Sequence, residues 1–279
     1  FKTVGEAANR PFYPYNYPMK NLALVALALS LASPALAQEW ARKSLEKSTR
    51  HGEWVQFQSG GRPLHAFVVY PEVKKKAPVI VVVHEIFGLT DWARATADAL
   101  AAEGYIAVAP DMLSGLAPGG GKTADFPTVD AARAAMATLD PAGVARDLDA
   151  AADYAKALPA ADGRVSAIGF CWGGGQVFRY AAHRPDLRAA FVFYGPSAPD
   201  IAPIKAPVYG FYAENDARIN ASLPDAEKAM KAAGKRFEPV VYAGGGHGFM
   251  RGGEDPEGRP GDQKARAQAL KRLKKLLKK

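Results

Sequence analysis

Cysteine is almost absent: the 279 residues contain one, Cys171. A single thiol cannot close an intramolecular disulfide, nor can it build a multi-thiolate metal site. Histidine is scarce as well, at five residues, and no Cys or His cluster has the spacing of metal ligands. Neither a metal nor another cofactor is therefore expected. Internal repeats are missing. Beyond residue 37 no apolar run approaches the ~20 residues needed to span a bilayer, so no stable membrane insertion of the body of the chain is expected.

One short apolar run does occur early. Met19 opens MKNLALVALALSLASPALAQEW, with a basic start at Lys20, an apolar stretch from Leu22 to Leu31 and Ala35-Leu36-Ala37 before Gln38. That is the layout of a secretory signal peptide with an A-x-A cleavage site. The expectation is a signal at residues 19–37, an exported mature chain at 38–279, periplasmic or secreted, and a segment 1–18 that is not part of the native protein. A mature chain of that length suits one domain with a full core.

The charge of +8 is uneven, because the final stretch Arg259–Lys279 carries nine basic residues and only Asp262 against them. Ala267, Leu270, Leu273 and Leu277 recur there at helical spacing. Two readings follow: contact with nucleic acid or an anionic membrane, or a terminal helix docked by its leucines with a solvated basic face. The second is preferred, since docking would use up the apolar stripe. No nucleic-acid partner is expected, and the protein is read as a monomer.

Strand and helix patterns alternate along the body. WVQFQS and LHAFVVY flank Gly60-Gly61-Arg62-Pro63 as a hairpin. APVIVVVHEIFG is a continuous β-branched run, the pattern of a central strand buried on both faces. GYIAVAPDM, RVSAIGF, AAFVFYG, PVYGFYA and FEPVVYA read as further strands. Helices are predicted over Asp91–Glu103, Val129–Thr138, Pro141–Leu158, Gly174–His183 and Asp225–Gly234, with Leu113–Asp130 a long Gly/Pro-rich loop. The pattern predicts one α/β domain: a mostly parallel, twisted sheet of about eight strands between two helical layers, with an N-terminal hairpin.

In such a sheet, sites gather where strands end. Gly169-Phe170-Cys171-Trp172-Gly173 joins a strand to a helix and matches the nucleophile elbow G-x-S-x-G with sulfur for oxygen. Glycine is needed there because strand and helix approach closely around a strained residue. The following helix N-terminus is expected to favour a thiolate and to offer N–H groups to an oxyanion. The alternative for Cys171 is a small buried hydrophobe. Asp216 follows a later strand and His247 the last one. Cys171, Asp216, His247 is the hydrolase order of nucleophile, acid and base. Glu214 and Asp225 are rival acids, and His84 is the other histidine at this edge. After another strand come His84-Glu85-Ile86-Phe87-Gly88, where the Ile86 N–H is expected to join that of Trp172 at the oxyanion.

Together, Gly169–Gly174, His84–Gly88, Asp216 and His247-Gly248-Phe249-Met250-Arg251 resemble the dienelactone hydrolase (carboxymethylenebutenolidase) family. The likeness covers most of Leu64–Leu277. It implies an α/β-hydrolase fold and a Cys171–His247–Asp216 triad that opens an enol-lactone through an acyl-thioester. It implies that Glu85 interacts with the resting thiol and helps activate it, and that Arg251, with Phe87, contacts the substrate, the arginine holding a carboxylate. Departures exist. Family members carry a second carboxylate-holding arginine where this chain has Gly115, so Arg133 is a candidate replacement, and Gly248 stands for a serine. APGGGKTAD is not a phosphate loop, because Leu116 takes the place of its first glycine; it reads as a flexible lid or edge loop. Ser197 lacks an elbow. The expected function is hydrolysis of a lactone or activated ester. The alternatives are a general short-chain carboxylesterase on the same triad, or an exported protein that binds a small molecule without turnover.

Overall fold

A computed structural model describes residues 38–278; the predicted signal at 19–37 and the segment before it lie outside the described residues. The elements run α1 (Glu39–Glu46), β1 (Gly52–Ser59), β2 (Arg62–Val69), β3 (Ala77–Val83), α2 (Asp91–Ala102), β4 (Ile106–Pro110), α3 (Val129–Met136), α4 (Pro141–Ala157), β5 (Ala161–Phe170), α5 (Trp172–His183), β6 (Leu187–Phe193), β7 (Val208–Asn215), α6 (Ala217–Asn220), α7 (Leu223–Ala232), β8 (Phe237–Gly246), α8 (Phe249–Gly252) and α9 (Pro260–Leu277). The eight strands form one sheet in the order β1-β2-β4-β3-β5-β6-β7-β8. β1 and β2 run antiparallel to each other, as do β2 and β4, and the other neighbours are parallel. This is the α/β-hydrolase fold the sequence led us to expect.

The β-branched run in β3 explains the layering. Side chains alternate across a strand. Val79, Val81 and Val83 point into a core shared with α3, α4, α5 and α7. Ile80 and Val82 point into the opposite core, shared with α1, α2, α8 and α9. Both faces are covered, so no polar residue is tolerated along β3.

Three local readings are corrected. The hairpin turns on Gly60 and Gly61 alone, both at positive φ, and Arg62 and Pro63 already belong to β2. Two consecutive left-handed residues reverse the chain in two positions, which most side chains resist. The segment read as a flexible lid is tied down: Thr123 bonds Asp111 through its N–H (2.9 Å) and its hydroxyl (2.7 Å). Finally, α9 does dock, but on Ala265, Ala269, Leu273 and Leu276, with Leu270 and Leu277 at the border and Ala267 exposed. Arg272, on the same face, anchors the helix on the carbonyls of Gly210 and Glu238. Among the described residues, no helix is long and apolar enough to cross a membrane.

Candidate active site

Strand register assembles the site. Val83 on β3 pairs with Gly169 on β5, which sets His84 and Glu85 beside Phe170 and Cys171. Phe170 pairs with Phe193 on β6, bringing Tyr194 to Cys171. Asn215 on β7 pairs with Gly246 on β8, so the next residues, Asp216 and His247, are neighbours. Five chain segments therefore meet at one sheet edge.

Cys171 sits between β5 and α5 at φ 54°, ψ −115°. A non-glycine residue in that region is strained, and its surroundings have to hold it there. Two hydrogen bonds do: the Cys171 N–H to the Phe193 carbonyl, and the Gly175 N–H to the Cys171 carbonyl. The flanking glycines let the turn close. A Cβ on Gly169 would lie 2.2 Å from the Gly173 carbonyl oxygen, and one on Gly173 would lie 2.3 Å from that of Val83.

The sulfur faces His247. Nε2 of His247 lies 3.1 Å from Sγ, and Nδ1 lies 2.5 Å from Oδ2 of Asp216. Asp216 is 7% exposed and accepts only, so Nδ1 carries the proton and Nε2 presents its lone pair to the thiol. The rival acids are elsewhere: Glu214 receives the Gly244 N–H, and Asp225 is exposed on α7. The backbone N–H groups of Trp172 and Ile86 both act on the sulfur, favouring its anionic form.

The N–H group at the helix terminus pulls the thiol's pKa down, favouring the thiolate, but it is outweighed. The Cys171 thiol is pushed up to about 11, first by burial and then by the Glu85 carboxylate, which together outweigh the two N–H groups and nearby Arg218. A helix N-terminus acts on an anion at its first turn with modest strength, whereas desolvation penalises the charged form directly.

Glu85 is 4% exposed. Its carboxylate receives Arg251 Nε at 2.7 Å and the Tyr194 hydroxyl at 3.3 Å. It acts on the thiol through its charge, while its hydrogen bonds go to Arg251 and Tyr194. Arg251 in turn lies 5.2 Å over the Phe87 ring. Arg133 does not enter: it pairs with Asp130 at the surface of α3. Gly115, at φ +78°, is exposed, with nothing within 4 Å of where a Cβ would be.

Two residues were not singled out for a role here by the sequence. Tyr194, fully buried at φ 38°, packs edge-on against His247 at 5.2 Å and holds Glu85. His84 is fully buried between loops: Nδ1 lies 2.7 Å from the Glu85 carbonyl, and Nε2 takes the Met112 N–H at 3.2 Å. It therefore donates from Nδ1, and burial holds its pKa down despite Asp111 nearby. Its ring stacks on Trp172 at 5.9 Å. Nothing in the spacing of Tyr194 marks it, but His84 at a strand end beside Glu85 was a visible signal.

The family model of the dienelactone hydrolase family matches residues 64–279. The chain belongs to that family. A Salmonella typhi protein, named provisionally as a carboxymethylenebutenolidase, is 35% identical over 224 residues, covering 75% of this chain and 80% of the relative. A Saccharolobus solfataricus protein with the same provisional name is 31% identical over 261 residues, covering 79% and 96%. The crystal structure of a provisionally named dienelactone hydrolase from Klebsiella pneumoniae superposes with a TM-score of 0.71 at 26% identity, covering 83% of this chain and all of that one. This dienelactone hydrolase family member is a hydrolase of the ester and lactone class, with a small-molecule substrate.

Proposed function

We propose that the chain cleaves a lactone or activated carboxylic ester through Cys171, His247 and Asp216. The observation that carries this reading is the continuous path Asp216 Oδ2–His247–Cys171 Sγ, ending on a sulfur faced by two backbone N–H groups.

In this mechanism the protonated thiol cannot attack until its proton leaves. His247 Nε2 takes it as sulfur bonds to the carbonyl carbon, and Asp216 steadies the imidazolium. The carbonyl oxygen becomes an oxyanion held by the Trp172 and Ile86 N–H groups. Collapse breaks the carbon–oxygen bond, and the leaving oxygen takes the proton from His247. With a lactone, that oxygen stays tethered to the acyl group. Water, deprotonated by His247, then attacks the thioester, and the returning thiolate regains its proton. Glu85 raises the barrier to a free thiolate at rest, and its pairing with Arg251 couples thiol activation to whatever engages Arg251.

Cys171→Ala should lower turnover by on the order of 10⁶, and intact-mass measurement of the wild-type enzyme with a slow ester should trap an acyl adduct on the single cysteine. Wild-type activity in Cys171→Ala would remove the nucleophile assignment. A general short-chain carboxylesterase is the second reading. It is favoured by Gly115, which offers no side chain, and by Arg133, which is occupied at the surface. Turnover of dienelactone against neutral p-nitrophenyl esters separates the two.

A further inference from the structure

Beside the reaction centre opens a cleft of about 620 Å³. Its inner end is shared with the site, because Phe87 and Arg251 form part of its wall. Phe87 directly follows Ile86, whose N–H faces the sulfur, and Arg251 holds Glu85. The wall continues through Leu89, Phe126 and Val129 to Trp54 and Arg94. Volumes of this order accommodate whole drug-sized ligands. A compact lactone or acetyl ester would fill little of it.

The cleft is firm. The Thr123 hydroxyl receives the Leu89 N–H at 3.0 Å and donates to Asp111, and a Cβ on Gly88 would strike the Thr123 side chain at 2.3 Å. The loop over one side of the cleft is therefore bolted to the strand ends on the other.

Its charges are already matched. Arg251 pairs with Glu85, Arg94 with Asp91, and Lys122, beside the outer end, with Asp125 at 3.9 Å. An anionic group would have to compete with a carboxylate at each cation. What the cleft presents openly is flat surface. Trp54, 40% exposed, has Arg94 Cζ 5.7 Å and Lys122 Nζ 5.4 Å from its ring centre, and the Arg251 guanidinium lies over Phe87. Guanidinium planes and aromatic rings both stack on planar unsaturated groups.

We propose that this cleft is a subsite for an uncharged aromatic portion of an ester substrate, carried on either its acyl or its alcohol side. The proposal rests on the hydrolytic reading above. It is tested with three activated neutral esters: vinyl acetate, vinyl cinnamate for an aromatic acyl group, and 2-naphthyl acetate for an aromatic alcohol. Trp54→Ala and Val129→Arg are compared with wild type, taking the ratio of kcat/KM for each ester so that intrinsic reactivity cancels. The expected result is a loss on one aromatic ester at least tenfold greater than the loss on vinyl acetate, for both variants. Which ester it is tells the acyl from the alcohol side. Equal losses on all three esters, or none on either aromatic ester, would overturn the proposal. Cys171→Ala, measured in parallel, keeps the two claims apart. Activity retained there defeats the catalytic reading, whereas an inactive Cys171→Ala alongside equal ester ratios defeats the cleft alone.

Discussion

The resting state of Cys171 offers the sharpest test, because burial and a carboxylate oppose a helix terminus at one atom. The thiol rises from an ordinary value of 9.0 to about 11. Each such step of one is tenfold in ionisation, so at pH 7 the thiolate population falls about a hundredfold below that of an ordinary thiol. A more basic thiolate is intrinsically more reactive, by roughly eightfold over this interval at a Brønsted slope of ~0.45. Reaction with a disulfide reagent such as DTNB should therefore run about twelvefold slower than a free cysteine at pH 7, before any steric penalty. The rate should keep climbing with pH beyond 9, toward a midpoint about 11. As the only thiol in the chain, Cys171 gives an unambiguous signal. The position of the midpoint is independent of access, so it is the quantity to measure. Glu85→Gln removes the second-largest cause of the rise and should move the midpoint down. A wild-type profile that levels off near neutral pH would mean a stable thiolate–imidazolium pair and would refute the dominance of burial and Glu85.

Two further predictions concern how the site is held. Gly169→Ala should abolish the elbow, since its Cβ would sit 2.2 Å from a backbone oxygen that belongs to α5 and cannot rotate away; circular dichroism and thermal unfolding should report a lower Tm together with lost esterase activity, and an active, equally stable variant would contradict the packing. His84 is expected to act as a positioning residue: His84→Leu strands the Glu85 carbonyl and the Met112 N–H, at about 1–3 kcal/mol for each buried group, and should lower kcat with little change in KM, whereas His84→Gln, which can donate and accept, should restore much of kcat. Equal kcat in the leucine variant would assign His84 to packing only.

The sequence was most legible where local chemistry and topology ask for the same residue. β3 could be read from its β-branched run because both its faces are covered. The elbow was visible because two backbone oxygens exclude a Cβ at Gly169 and Gly173. Asp216 and His247 could be paired because each follows a strand, and adjacent parallel strands end together. Failures have equally specific causes. α1 sets only Trp40, Ala41 and Leu45 on the core, too short an apolar pattern in EWARKSLE to have been picked out. On α9 the packed face includes Ala265 and Ala269, small residues that periodicity in leucines does not weigh, and Ala267 was taken in their place.

Glu85 shows where residue-type reasoning runs out. Its place at a strand end was legible and its interaction with the thiol was implied by the family resemblance, but neither named its partner. Arg251, 166 residues away, was assigned to the substrate; in the fold it first satisfies Glu85. That pairing changes how both residues work. A buried carboxylate left without a partner is costly, so anything that draws Arg251 outward leaves Glu85 with the Tyr194 hydroxyl alone, next to a thiol whose proton it can attract. Under the proposed mechanism, any substrate contact at Arg251 and the readiness of Cys171 would be joined through one carboxylate. On that proposal, the same link would let a thiol that is protonated at rest still serve as the nucleophile.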